Sequence, residues 1–204
     1  MYKLPYYQVD NQAEVIAFMQ QNNFVTLVGF DGDYPVATQI PVEIVLDGEQ
    51  IRLIGHVMTR TDHCAAFERN PKVLAIFTGA HAYISASVYE DPAVASTWNY
   101  KTVQAKGNIK LLSSEETYQV IKGITDHYEG KDSPAAFHKM DEMYIQKHLK
   151  AITGFEIEVT HLDHVFKISQ NHSAKNKESI IANLESSGDV MSQEVAKEMK
   201  RAKM

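Results

Sequence analysis

The chain begins with apolar residues at helical spacing. Val15, Ile16, Phe18 and Met19 form one apolar face of a helix over residues 11–22, with Asp10 as its N-cap. From residue 24 the period shortens. Phe24–Phe30 (FVTLVGF) has the β-branched and aromatic content of a strand, and Asp31-Gly32-Asp33 turns the chain. Tyr34–Val45 then resumes the β pattern. Pro35 and Pro41 within it donate nothing to a ladder, so strand starts, bulges or an edge are their places. Asp47-Gly48 between two apolar runs predicts a hairpin returning along Gln50–Val57.

Thr61–Arg69 reads as a short helix with Ala65, Ala66 and Phe67 inward, stopped by Asn70-Pro71. Val73–Phe77 is a continuous apolar run, the mark of a fully buried strand. A Gly-His-aromatic loop follows, then an alternating strand from Ala82 to Val88, a loop over Asp91–Thr97 and a strand over Tyr100–Leu112. Gly107 in that strand marks a bulge or a close approach. Ser113 and Glu116 form a capping box ahead of a helix over 114–129. After a linker, Met140, Met143, Tyr144 and Leu149 predict a helix over about 135–150 whose methionines pack in the core. Phe155–Val159 and Val165–Ile168 read as a hairpin across a His161–His164 turn, followed by helices near 175–185 and 190–203. Six or seven short strands, mostly hairpin-connected and with helices between them, indicate an antiparallel barrel of the α+β class. Strict βαβ order is absent, which argues against a Rossmann fold.

A chain of 204 residues fits one large domain, or one domain with a helical appendage: a barrel with inserted helices over 1–170 and a C-terminal helical extension packed on it over 171–204. Apolar residues make up 44%, enough for a sizeable core. Cys64 is the only cysteine, so an internal disulfide and a Cys-rich metal site are both ruled out. No apolar run approaches the ~20 residues of a membrane span. The start MYKLPYYQVD lacks a signal-peptide core, and the cytoplasm is the expected compartment. A net charge of −6 disfavours a broadly basic nucleic-acid surface. The one basic stretch is the tail carrying Lys197, Lys200, Arg201 and Lys203, which also suits a solvated helix face.

Three places carry candidate chemistry. After the strand ending at His56, the turn Thr59-Arg60-Thr61 opens a helix with His63 in its first turn. Free backbone N–H groups, two hydroxyls and a guanidinium there suit an anion such as phosphate. Asp62 opposes this, and a plain N-cap at Thr61 with Asp62 complementing the helix dipole accounts for the same residues. Trp98-Asn99-Tyr100 suits stacking on a planar ring, anchoring a subunit interface, or core packing. Lys167, Gln170 and Asn171 follow an apolar strand and could reach an anion or a ring edge, or act as ordinary turn residues. His161 and His164 lack a third partner at diagnostic spacing, so no metal site is predicted. No nucleophilic triad, P-loop or Gly-x-Gly-x-x-Gly is present, and no catalytic acid or base stands out.

Taken together, Gly55-His56, His81–Ser85 (HAYIS), Thr97–Tyr100 (TWNY), Gly154–Glu158 (GFEIE) and Phe166–Asn171 (FKISQN) resemble the PaiB-type family of FMN-binding split-barrel proteins, with Val36–Pro41 (VATQIP) as a further match. This family of the pyridoxamine-phosphate-oxidase-like superfamily is often labelled as negative transcriptional regulators. The resemblance spans nearly the whole chain. It implies a six-stranded antiparallel split β-barrel with peripheral helices that forms a homodimer with FMN between subunits, acting as a flavin-dependent oxidoreductase or a flavin-binding regulator. In that reading Thr38, Gln39 and Ile40 lie beside the isoalloxazine ring, while His56, Thr59, Arg60, Thr61 and His63 hold the phosphate. Trp98 and Asn99, or Lys167, Gln170 and Asn171, complete the pocket, from the partner chain in one version. Where the oxidases carry a Ser-Arg-Lys cluster, this chain has Thr61-Asp62-His63. Alternatives are a transcriptional regulator, with direct DNA contact disfavoured by the acidic balance, and a haem-binding split-barrel protein.

Overall fold

The computed structural model describes residues 1–202, so Lys203 of the basic tail lies outside the described residues. Helix α1 spans Gln12–Gln21. Its cap differs from the expected Asp10: the side chain of Asn11 accepts the N–H of Ala13 at 3.1 Å. Strands β1 (Phe24–Phe30) and β2 (Pro35–Pro41) form a hairpin, in register from Phe24 opposite Pro41 to Phe30 opposite Pro35. Strands β3 (Glu43–Asp47) and β4 (Gln50–Met58) form a second, closed at Asp47-Gly48 as predicted. Helix α2 (Asp62–Arg69) is followed by β5 (Lys72–Ile84) and β6 (Thr97–Leu111). Helix α3 (Ser114–Glu129) starts on the Ser113–Glu116 capping box. Helix α4 (Glu142–Leu149), strand β7 (Ile152–Lys167) and helices α5 (Ala174–Glu185) and α6 (Val190–Arg201) complete the chain.

The fold is α+β, an antiparallel split β-barrel with peripheral helices, and its sheet runs β2-β1-β5-β6-β7-β4-β3. Among the described residues it has seven strands, within the six or seven that the pattern indicates and one more than the resemblance implies. The run Tyr34–Val45 divides after Pro41: the N–H of Val42 makes the last bond on the β1 side, donating to the carbonyl of Asn23 at 2.9 Å, and from Glu43 the chain pairs with β4. β2 therefore pairs with β1, while β3 pairs with β4. Two expected breaks are absent. The Gly79–His81 segment is strand, not loop, and Gly79 lets the Phe18 ring lie 2.8 Å from where a Cβ would stand. His161–His164 continues β7, because no Gly, Pro or Asn is there to turn the chain and Thr160 Oγ1 donates to the carbonyl of Lys106 on β6. The predicted helix over 135–150 is only α4, capped by Asp141, whose side chain accepts the N–H of Tyr144 at 2.8 Å. Met143 is 79% exposed and Met140 37%, so neither is core; Phe137 and Ile145 hold the buried positions.

The described chain divides into two compact units. One comprises residues 1–18, 78–103 and those from Asp163 onward; the other comprises Met19–Phe77 and Gln104–Leu162. In the first, Ala82, Ile84, Tyr89 and Ile168 form one apolar cluster with Ile180, Ile181 and Leu184 of α5 and Val195, Ala196 and Met199 of α6. Lys101 reinforces it, reaching Glu198 of α6 at 2.6 Å and lying 4.7 Å from the centre of the Phe166 ring. In the second, α2 packs on the β1–β2 hairpin, the ring of Phe67 lying 2.7 Å from where a Cβ on Gly29 would stand. The sheet curls there, bringing the carbonyl oxygen of Pro41 within 3.1 Å of the position a Cβ on Gly55 would take. That approach gathers the ends of β2 and β4. No helix among the described residues is long and apolar enough to cross a membrane.

Candidate functional site

In the second unit, the approach of Pro41 to Gly55 brings two predicted groups, on β2 and on β4, to neighbouring positions. Along β2 Ile40 is buried, Gln39 exposed and Thr38 half-buried, as strand alternation requires. The amide of Gln39 has no hydrogen-bond partner among the described residues. His56 on β4 is half-buried, and loss of hydration pushes its pKa below the usual 6.5, so the ring is neutral at pH 7. It too has no hydrogen-bonded partner among the described residues. The following turn is anchored by the Thr59 N–H, which donates to the carbonyl of Ala151 at 3.0 Å.

The start of α2 caps itself. Thr61 Oγ1 accepts the N–H of Cys64 at 3.3 Å and donates to the carbonyl of Met58 at 2.9 Å. Asp62 Oδ1 accepts the N–H of His63 at 2.7 Å, and His63 lies 3.1 Å from Thr61 Oγ1 and 3.2 Å from Asp62 Oδ1. An entering phosphate would meet the Asp62 carboxylate before the helix end. Two features offset this. The Asp62 side chain is 77% exposed, so water and salt screen its charge. The guanidinium of Arg60 is exposed and has no ion pair or hydrogen bond among the described residues, leaving a bidentate donor for an oxyanion. Burial pushes the Cys64 thiol up, so it is an inert packing group.

The first unit holds the remaining predicted residues. Trp98 and Asn99, adjacent on β6, point to opposite faces. Trp98 is 51% exposed and forms an aromatic cluster with His81 and Tyr83, ring centres 5.9 and 5.8 Å away. Asn99 is fully buried, with its amide nitrogen 2.9 Å from Ser169 Oγ and 3.5 Å from the sulfur of Met199. Gln170 also turns inward: its oxygen accepts the N–H of Ile168 at 2.8 Å, and its nitrogen donates to the carbonyl of Phe166. Lys167 and Asn171, and Asn99 with them, line a cavity of about 340 Å³ together with Tyr7, Tyr89, Thr97 and His172. The rings of Tyr89 and His172 stack there at 4.9 Å and 12°. Burial, and next the charge of Lys167, hold His172 below the usual imidazole range.

The chain as a whole is similar to known proteins. Residues 1–161 match the sequence profile of a family described as "Putative FMN-binding domain". The chain belongs to that family. It is 30% identical to the protease synthase and sporulation protein PAI 2 of Bacillus subtilis over 200 residues, 98% of this chain and 96% of that one. Among solved structures, the FAD and haem binding protein from Mycobacterium smegmatis superposes with a TM-score of 0.62 at 15% identity, covering 85% of this chain and 78% of that one. The flavocytochrome Anf3 from Azotobacter vinelandii gives 0.62 at 11% identity, over 82% and 72%. At these identities the likeness establishes the fold.

For a member of this family, the second unit's donor set suits FMN. The free guanidinium of Arg60 and the unpartnered imidazole of His56 suit a phosphate, and the unpaired amide of Gln39 suits the polar edge of a ring; the turn hydroxyls are already engaged, Thr59 Oγ1 donating to the carbonyl of Ala151 at 3.3 Å and Thr61 Oγ1 to that of Met58 at 2.9 Å. Sequence reading placed Tyr89 only in a polar and aromatic stretch with Gly79, His81, Tyr83, Ser85 and Ser87, and did not single out Tyr7 and His172 of the cavity. Tyr7 lies in a short 3₁₀ turn (Pro5–Tyr7) and Tyr89 directly after another, Ala86–Val88, while His172 precedes α5. No periodicity marks such positions, and only their pairing across the fold reveals them.

Proposed function

We propose that this protein is a flavoprotein that holds FMN on its second unit. Arg60, Thr59, Thr61 and His63 would take the phosphate, with His56 beside them, and Thr38, Gln39 and Ile40 would meet the edge of the ring. The observation that carries this reading is Arg60: an exposed, unpaired guanidinium immediately ahead of a helix N-terminus, in a chain of the FMN-binding family. The flavin and haem named for the two structural neighbours are consistent with a flavin in this fold. When bound, FMN would supply hydride or single-electron transfer, and the protein would supply anchoring, ring-edge hydrogen bonds and restricted access for a redox partner. The exposed ring of Trp98 would close the pocket from the partner chain of a homodimer. Asn99 and Gln170 hydrogen-bond within their own chain and would act by fixing the fold around Ser169.

The test is the visible spectrum of the protein as purified and after addition of FMN. Flavin bands and one equivalent of FMN per chain are expected. A colourless protein that takes up no FMN would overturn the reading, and a Soret band in place of flavin bands would assign the pocket to haem.

A further inference from the structure

The 340 Å³ cavity lies wholly within the first unit and falls near the lower end of the range for small-molecule sites. Among the described residues, Lys167 is the only lysine or arginine lining it. Its ammonium is half-buried, donates to Thr97 Oγ1 and lies 5.9 Å from the centre of the Tyr7 ring. No carboxylate among the described residues pairs with it, and burial alone pulls its pKa down. Lys101 in the same unit shows the ordinary arrangement, with Glu198 at 2.6 Å. An ammonium withdrawn from water with one hydroxyl partner has donors left over and an unbalanced charge facing the cavity.

The other walls restrict what can balance it. Asp91 lines the same cavity, held by the N–H of Ala93, which donates to its Oδ1 at 2.9 Å. A ligand of charge −2 would be repelled there, whereas a single negative charge at the Lys167 end is tolerated. Val94, Ala95 and the stacked Tyr89–His172 pair give the space between a flat, partly apolar lining. We propose that this cavity binds a small, singly charged organic carboxylate with a flat body, its carboxylate on Lys167 and Thr97. This goes beyond the flavin reading and does not depend on it.

Calorimetric titration of the full-length protein near pH 7 and at low salt, with benzoate and inorganic phosphate as probes, tests the proposal. Benzoate should bind one per chain, and phosphate at least about tenfold more weakly. Lys167→Met should weaken benzoate about tenfold or more, and Lys167→Arg should restore most of the binding. Asp91→Asn should raise phosphate affinity while leaving benzoate nearly unchanged. Should Lys167→Met fail to fold by thermal melting, Lys167→Gln carries the same expectation. The proposal falls if benzoate does not bind, if the neutral variants bind it as wild type does, or if phosphate binds more tightly. Competition separates it from the flavin reading. If FMN displaces benzoate, the cavity belongs to the flavin site and the proposal fails. If FMN does not bind at all while benzoate does, the flavin reading fails and this one stands.

Discussion

Asn99 and Ser169 exchange two hydrogen bonds across 70 residues of sequence: the Asn99 amide nitrogen donates to Ser169 Oγ at 2.9 Å, and the Ser169 hydroxyl donates to Asn99 Oδ1 at 3.1 Å. Both side chains are buried. Ser169 is also the one described non-glycine residue with positive φ, at 61°. A left-handed serine is disfavoured unless its surroundings fix it, and this reciprocal pair does so. Because Ser169 lies between Lys167 and Asn171, its conformation sets where both enter the cavity. Asn99→Ala leaves Ser169 and Met199 without the amide, and a loss of about 2–3 kcal/mol is expected from urea unfolding. Ser169→Gly removes both bonds and leaves the Asn99 amide only the Met199 sulfur, but it relieves the backbone, so a smaller loss of about 1–2 kcal/mol is expected. A stable Asn99→Ala with an unchanged midpoint would show that the pair does not hold the turn.

Two glycines of the second unit should respond in opposite directions. A Cβ on Gly107 would stand 2.4 Å from the carbonyl oxygen of Glu158 and 2.6 Å from a methyl of Ile157. The first contact is with backbone and cannot rotate away, so Gly107→Ala must push β6 from β7, at roughly 2–3 kcal/mol. Gly123, inside α3, has nothing within 4 Å of its would-be Cβ. Gly123→Ala should stabilise by about 0.5–1 kcal/mol through helix propensity and a less flexible unfolded chain. Chemical denaturation of the two variants side by side measures both signs.

The legible parts of the fold were those whose cause is local. The capping box at Ser113 and Glu116, the Asp47-Gly48 hairpin and the Thr61 cap each act within three or four residues, and each stands where its pattern places it. The misread parts are those decided by distant partners. His161–His164 looks polar enough to turn, yet pairing with β6 carries it on as strand. Gly79 looks like a loop residue, and its use is to admit Phe18. The Trp98-Asn99-Tyr100 pattern leaves ligand contact and core packing both open for Asn99, because its hydrogen-bond partner lies 70 positions away and leaves no mark on the local pattern. Only part of the candidate site follows from spacing. Sequence identified Arg60 and Lys167 as cations, and the structure shows that neither has a carboxylate partner among the described residues.

Acid should destabilise the protein from near neutrality downward. His56, His164 and His172 are all held below the ordinary imidazole value of 6.5, and in each the largest cause is burial. With the folded pKa depressed, the unfolded chain binds more protons as pH falls below that of free histidine. Their contribution is therefore fully present above about pH 6.5–7 and declines through the interval down to the folded values. His164 shows the reason directly: its Nε2 accepts the N–H of Val9 at 2.9 Å, which a protonated ring cannot do. Melting temperature should fall between pH 7.5 and 5.5. His164→Gln, which keeps an acceptor without titrating, should fall less over that interval. An equal fall in wild type and variant would remove His164 as a source.

Asp62 links stability and flavin affinity with opposite signs. Its carboxylate sits at the positive end of α2 and accepts the N–H of His63 at 2.7 Å, an arrangement that stabilises the helix. The same charge repels a phosphate held by Arg60 and the Thr59–Thr61 turn. Asp62→Asn should therefore lower stability by about 0.3–1 kcal/mol. It should also tighten FMN binding several-fold in a fluorescence-quenching titration, most strongly at low salt. Arg60→Ala should weaken FMN by about tenfold or more, with little change in melting temperature, because the guanidinium makes no contact that the fold requires. If both variants bind FMN as wild type does, the phosphate is not held at this turn, even in a protein that proves to be yellow.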